Sequence, residues 1–122
     1  MSRVLVFKVG GTAALPAPPP EQKSVFNPPA STADATTIAI GRALFAQYCT
    51  VCHGEGAVGG GITPDLRASR FLGNDFWYEI VLNGAMKDAG MASFKPVLDR
   101  DGATAIRAYI IEQASEAKAA VK

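Results

Sequence analysis

At 122 residues the chain is sized for one domain, and with 48% hydrophobic and 19% charged residues its composition is that of a globular protein. A net charge of +1 excludes the clustered basic excess of a nucleic-acid surface, and no apolar run approaches the roughly 20 residues of a membrane span. Much of the hydrophobic share is alanine, so bulky side chains are few for so small a domain, and something other than polypeptide is expected to supply part of the core.

Residues 3–9, RVLVFKV, are β-branched and aromatic and end at Gly10-Gly11, which predicts a strand. Both faces are mostly apolar, with Leu5, Phe7 and Val9 on one side and Val4 and Val6 on the other. The remainder of the chain offers no convincing second strand, so residues 1–10 form an orphan strand that either docks on the domain or pairs with other polypeptide. Lys8 and the glycines also stop the run short of a signal-peptide core, so no export signal is expected here.

Residues 11–33 hold six of the eight prolines and read as a linker. As polyproline II the stretch would span roughly 70 Å when fully extended, unless Val25 and Phe26 pin it to a neighbouring surface.

From residue 34 to 122 the pattern is helical and the fold class all-α. Asp34 is placed to cap a first helix, with Ile38, Ala39, Leu44, Phe45 and Tyr48 on its apolar side, running to the cysteines. A glycine-rich loop spans 54–61. A second helix of two to three turns follows within 74–85, with Asn74 or Asp75 capping it and Asn83-Gly84 as its stop. The third, over 99–120, carries Ala103, Ile106, Ile110 and Ala114 on one stripe beside Tyr109.

The first helix ends on Cys49-Thr50-Val51-Cys52-His53, which contains both cysteines and the only histidine. A structural zinc site needs four ligands, and these three would need a carboxylate to complete it. A thioredoxin-type dithiol sits at a helix N-terminus within a βαβ unit, whereas these cysteines follow a helix. A local disulfide across two residues is a poor staple. Haem attachment fits best: each thiol forms a thioether to one vinyl group, and the next residue, His53, then falls under the iron. One covalent haem c would also supply the missing core, and the haem-free chain is expected to be largely unfolded.

With no second histidine, the other axial ligand falls to a methionine. Met86 follows the second helix stop, whereas Met91 follows Gly90 in the irregular DAGMASFKP loop and is free to lie over the far haem face, so Met91 is preferred. A methionine's ordinary role is core packing, and if Met91 does not bind iron the chain reads instead as a five-coordinate haem sensor or enzyme.

The segments GRALFAQYCTVCHG, GGGITPDLR, IVLNGAMKDAGMASF and AIRAYIIEQA, covering most of residues 41–114, resemble class I cytochromes c. They are most similar to the C-terminal cytochrome domain of quinohaemoprotein alcohol dehydrogenases. RVLVFKVGGTAALP resembles the last propeller strand and linker before that domain. The resemblance implies three main helices around the haem, thioethers at Cys49 and Cys52, His53 as proximal ligand and Met91 as distal ligand. The Pro64 carbonyl would accept the second ring N–H of His53. Gly41 and Tyr109 would lie where the first and last helices cross, and Arg67 and Trp77 near the haem or its propionates.

It further implies one-electron transfer, with a pyrroloquinoline quinone in a preceding propeller domain as donor and an external redox protein or quinone as acceptor. The chain alone would not oxidise alcohols. Attachment of this kind implies a periplasmic location. The rival is a free-standing diffusible cytochrome whose strand and linker are incidental.

Overall fold

The computed structural model describes Val4, residues 6–17 and residues 24–121. Two long helices carry it: α1 (Ala35–Tyr48) and α4 (Arg100–Ala120), with a single-turn α2 (Thr50–His53) directly after α1 and a short α3 (Phe76–Val81) between. 3₁₀ turns at Glu55–Ala57, Leu66–Ala68, Arg70–Gly73 and Lys87–Ala89 make the connections.

Both long helices start where the side chains dictate. Asp34 accepts from the Thr37 N–H at 2.7 Å, and Asp99 accepts from the Gly102 N–H at 2.7 Å, each satisfying an amide that the helix leaves open. The hydrogen bonds from Thr37 hold the Asp34 carboxyl below its ordinary pKa. On α1, Ile38, Leu44, Phe45 and Tyr48 meet the core as expected, while Ala39 faces outward.

The crossing of α1 and α4 organises the core. Gly41 is buried there, and a Cβ at that position would stand 1.9 Å from the Ala105 carbonyl oxygen, so only glycine lets the helices approach so closely. The expected α4 stripe of Ala103, Ile106, Ile110 and Ala114 is buried beside Tyr109, whose ring tilts against Phe45 with centroids 5.4 Å apart. Phe45, Leu72, Ile106 and Ile110 are the largest fully buried side chains, each stabilising the fold by about 1.5–3 kcal/mol. Trp77 lies in the same core, its indole N–H donating to the Ala103 carbonyl at 3.0 Å.

Helix α3 is shorter than its pattern. Asn74 Oδ1 accepts from the Phe76 N–H at 3.0 Å and starts it, while Asp75, in the cap position, makes no side-chain cap bond and faces Arg100 and Arg107. The Asn83-Gly84 stop forms, with Gly84 at φ 73.

The N-terminal strand does not form among the described residues. Val4, Val6, Phe7 and Val9 are 87–102% exposed, and no other described segment is a strand, so their backbone groups have no ladder to join. Leu5 and residues 1–3 lie outside the described residues. The Gly10-Gly11 stop is a turn closed by the Gly11 N–H on the Lys8 carbonyl, 3.0 Å. Residues 24–33 run without helix along the domain, Phe26 and Pro29 half-buried and Val25 exposed.

Candidate haem site

Helix α1 ends at Cys49, whose φ widens to −115 within the right-handed region while its N–H still donates to the Phe45 carbonyl at 2.9 Å. The chain at once re-enters helix: the His53 N–H bonds the Cys49 carbonyl at 2.9 Å, and the Gly54 N–H the Thr50 carbonyl at 2.8 Å. This single turn carries both thiols and the imidazole, and positions three and four apart in a helix share a face. Cys52 is exposed and Cys49 half-buried.

Three of the readings open in the sequence can be weighed on this geometry. Both cysteines are free thiols. Burial pushes the Cys49 thiol up to about 11, with the Cys52 charge adding to the effect, whereas a redox dithiol needs a lowered pKa. Among the described residues no group of three or more His, Cys, Asp or Glu could hold a metal ion by itself.

His53 is 8% exposed, and its Nδ1 is the one buried side-chain polar atom without a hydrogen-bond partner among the described residues. Burial lowers the imidazole pKa, and the Pro64 carbonyl opposes that by facing the ring, without closing a full hydrogen bond on Nδ1. A buried polar group left open carries a cost and calls for an explanation. With Nδ1 buried and facing the Pro64 carbonyl, the other ring nitrogen is the one left to bind iron beside two free thiols, so the residues present fit a covalent haem.

The glycine-rich loop is folded back to make this possible. The Gly59 N–H donates to the His53 carbonyl at 2.7 Å, and Thr63 Oγ1 donates to the Cys52 carbonyl at 2.6 Å. Gly59 has φ 79, and a Cβ on it would meet the Thr63 and Pro64 carbonyl oxygens at 2.6 and 2.9 Å. The sequence assigns neither Thr63 nor Gly59 a role of its own, although both lie in the GGGITPDLR segment and Gly59 in the glycine-rich loop.

On the other flank, loop 86–94 is stitched to α3. The Phe94 N–H donates to the Val81 carbonyl at 2.9 Å, the Met91 N–H to the Met86 carbonyl at 3.1 Å, and Ser93 Oγ to the Leu82 carbonyl. Met91 is half-buried against the core and Met86 is 37% exposed. Tyr48, beside Cys49, meets Phe94 edge-on at 6.4 Å, linking the motif to this loop.

Arg67 and Trp77 each have a partner within the protein. Arg67 grips Asp65 through Nε at 2.9 Å and Nη2 at 2.7 Å, with Phe26 packed on its guanidinium at 5.0 Å. The Trp77 donor is taken by Ala103. A cleft of about 810 Å³ between Leu44, Tyr78, Leu82, Leu98 and Arg100 contains none of the motif residues.

The family described as "Cytochrome C oxidase, cbb3-type, subunit III" matches residues 36–110. The chain is 39% identical to quinohemoprotein alcohol dehydrogenase ADH IIB of Pseudomonas putida over 94% of its own length and 17% of the relative's. It is 36% identical to cytochrome c550 of Pseudomonas aeruginosa, over 60% of this chain and 53% of that one. The solved structure of quinohemoprotein alcohol dehydrogenase ADHIIG from Pseudomonas putida HK5 superposes with a TM-score of 0.70 at 36% identity, covering 89% of this chain and 16% of that chain. The chain thus spans only 16–17% of the length of these dehydrogenases.

Proposed function

Because the chain belongs to this cytochrome c family, whose members carry covalent haem c as electron-transfer modules, we propose that it is the haem domain of a quinohaemoprotein alcohol dehydrogenase. In this reading Cys49 and Cys52 hold the haem, His53 and Met91 bind its iron, and the Pro64 carbonyl orients His53. The observation that carries it is a buried histidine, His53, directly after two free thiols three residues apart, with Cys49 capping the single turn that holds Cys52 and His53.

Bound haem c supplies a one-electron ferrous–ferric couple. The polypeptide's part is to hold and tune it. The single turn of α2 fixes the two sulfurs and the imidazole relative to one another, and the Gly59 and Thr63 bonds keep the following loop against His53. Half-buried Met91 offers a soft, weak thioether, which favours the ferrous state over a second imidazole. A cytochrome c domain alone is not a catalyst. The quinone of a preceding domain would donate electrons singly, an external protein or quinone would accept them, and the location would be periplasmic. Among the described residues no helix is long and apolar enough to cross a membrane.

The likeness to cytochrome c550 supports a second reading, a diffusible carrier. Finding propeller-coding sequence immediately upstream of Met1 selects the dehydrogenase.

The test is expression with cytochrome maturation machinery, then intact mass and a reduced-minus-oxidised visible spectrum. Mass increased by one haem, with a six-coordinate low-spin spectrum, is expected; colourless protein of bare polypeptide mass overturns the reading. Met91→Leu should then lower the potential and open the iron to carbon monoxide, while Met86→Leu leaves both nearly unchanged.

A further inference from the structure

The segment before α1 is more than a tether. Phe26 is half-buried, with its ring on the Arg67 guanidinium at 5.0 Å. Next to it, Asn27 Oδ1 accepts from Lys118 Nζ at 3.4 Å, and Pro29 and Ala33 line a small cleft against Leu72, Ala108 and Ile111 of the domain. Arg67 is held in turn: its backbone N–H and Nε both reach Asp65 Oδ1, at 3.0 and 2.9 Å, and Nη2 reaches Oδ2 at 2.7 Å. The two side chains are only 21% and 16% exposed, and the Phe26 ring covers one face of this planar, forked pair.

This pair brackets the turn that serves His53. Pro64 lies between Thr63, tied to the Cys52 carbonyl on the inner side, and Asp65, tied to Arg67 and through it to Phe26 on the outer side. Two clamps therefore set where the Pro64 carbonyl points, and one of them belongs to the segment preceding α1.

We propose that Phe26, acting through the Arg67–Asp65 pair, is a positioning residue for His53: docking of residues 24–33 presses the Pro64 carbonyl towards Nδ1 and thereby sets the donor strength of the imidazole. A carbonyl accepting the Nδ1 proton makes the other nitrogen a stronger donor, which stabilises ferric iron and lowers the potential. In the haem-loaded chain proposed above, where the Pro64 carbonyl accepts from Nδ1, undocking the segment lets that carbonyl drift away and raises the potential, so the attachment of whatever precedes α1 is read at the haem. The inference rests on the proposed ligation by His53.

The experiment uses the full haem-loaded chain and reads the midpoint potential together with solvent exchange of the His53 ring N–H by proton NMR, the second of which reports on the Nδ1 hydrogen bond itself. Phe26→Ala should raise the potential and speed the exchange about tenfold, as loss of one net hydrogen bond does. Phe26→Trp, which keeps a π face on the guanidinium, should restore both, and Val25→Ala, at an exposed neighbouring position, should change neither. Should Phe26→Ala misfold, Arg67→Lys, which keeps the charge and loses the fork, takes its place with the same expected direction. Wild-type values in Phe26→Ala or its substitute, or an equal shift in Val25→Ala, overturn the proposal. Failure of the wild type to take up haem is a separate result that sinks the ligation itself.

Discussion

At the crossing of α1 and α4 the chain satisfies itself, whereas around His53 it does not. The crossing closes a glycine onto a backbone carbonyl, seats Phe45 and Ile106 without exposure, and gives the Trp77 N–H its acceptor. The His53 side consists of one helical turn, a glycine loop and 3₁₀ turns around the single open polar atom of the described interior. The first region is a framework that needs only its sequence; the second is a mould whose fit is judged by the group it is shaped to hold.

The strongest test of that division is Gly41→Ala. Helix propensity alone says the change stabilises α1 by about 0.5–1 kcal/mol, whereas a Cβ 1.9 Å from the Ala105 oxygen says the crossing is forced apart. A net loss of about 3 kcal/mol is expected in denaturant melts of the haem-loaded protein, and a gain would show that the crossing is not the framework.

Trp77→Phe is the milder version, removing the donor to Ala103 while keeping the ring. It should cost about 1–2 kcal/mol in the same melts, with the visible spectrum intact, because the indole serves the framework. A changed spectrum at unchanged stability would assign Trp77 to the mould after all.

Acidity separates the regions further. The Cys49 thiol is raised from 9.0 to about 11 in the folded chain, so between those values the native state keeps a proton that the unfolded state has lost. Stability is unaffected below pH about 9 and falls as pH rises towards about 11, by on the order of 2 kcal/mol. A thioether at Cys49 removes that proton, so denaturant melts of the haem-loaded protein should show no such loss between pH about 9 and 11, and a loss of that size would show that Cys49 is not attached.

The smallest effect is expected at the rim of the crossing, where Arg42 reaches Glu112 at 3.4 Å with 62% and 30% of the side chains exposed. Glu112→Gln should alter stability by less than about 1 kcal/mol, and less still in high salt.

The framework was readable because periodicity and caps are local. Asp34, the stripe from Ala103 to Ala114 and the Asn83-Gly84 stop each act within a few residues of themselves, and each forms as expected. The cysteine motif was readable because its spacing is its chemistry. Phe26 on Arg67 and Thr63 on Cys52 were not, since they join residues brought together only by the folded path. The strand expected over residues 1–10 is a different case: β propensity describes a residue's fitness for a sheet, and no other strand forms among the described residues for 4 and 6–9 to pair with.

The contact at Gly41 also acts as a fulcrum. From there to Cys49 helix α1 is a rod of about 12 Å, so a tilt of about 5° at the crossing swings the first sulfur by about 1 Å. Geometry at a haem held through Cys49 would thus be inherited through leverage from a point remote from it, and a lesion buried between two helices should then declare itself as a change of colour.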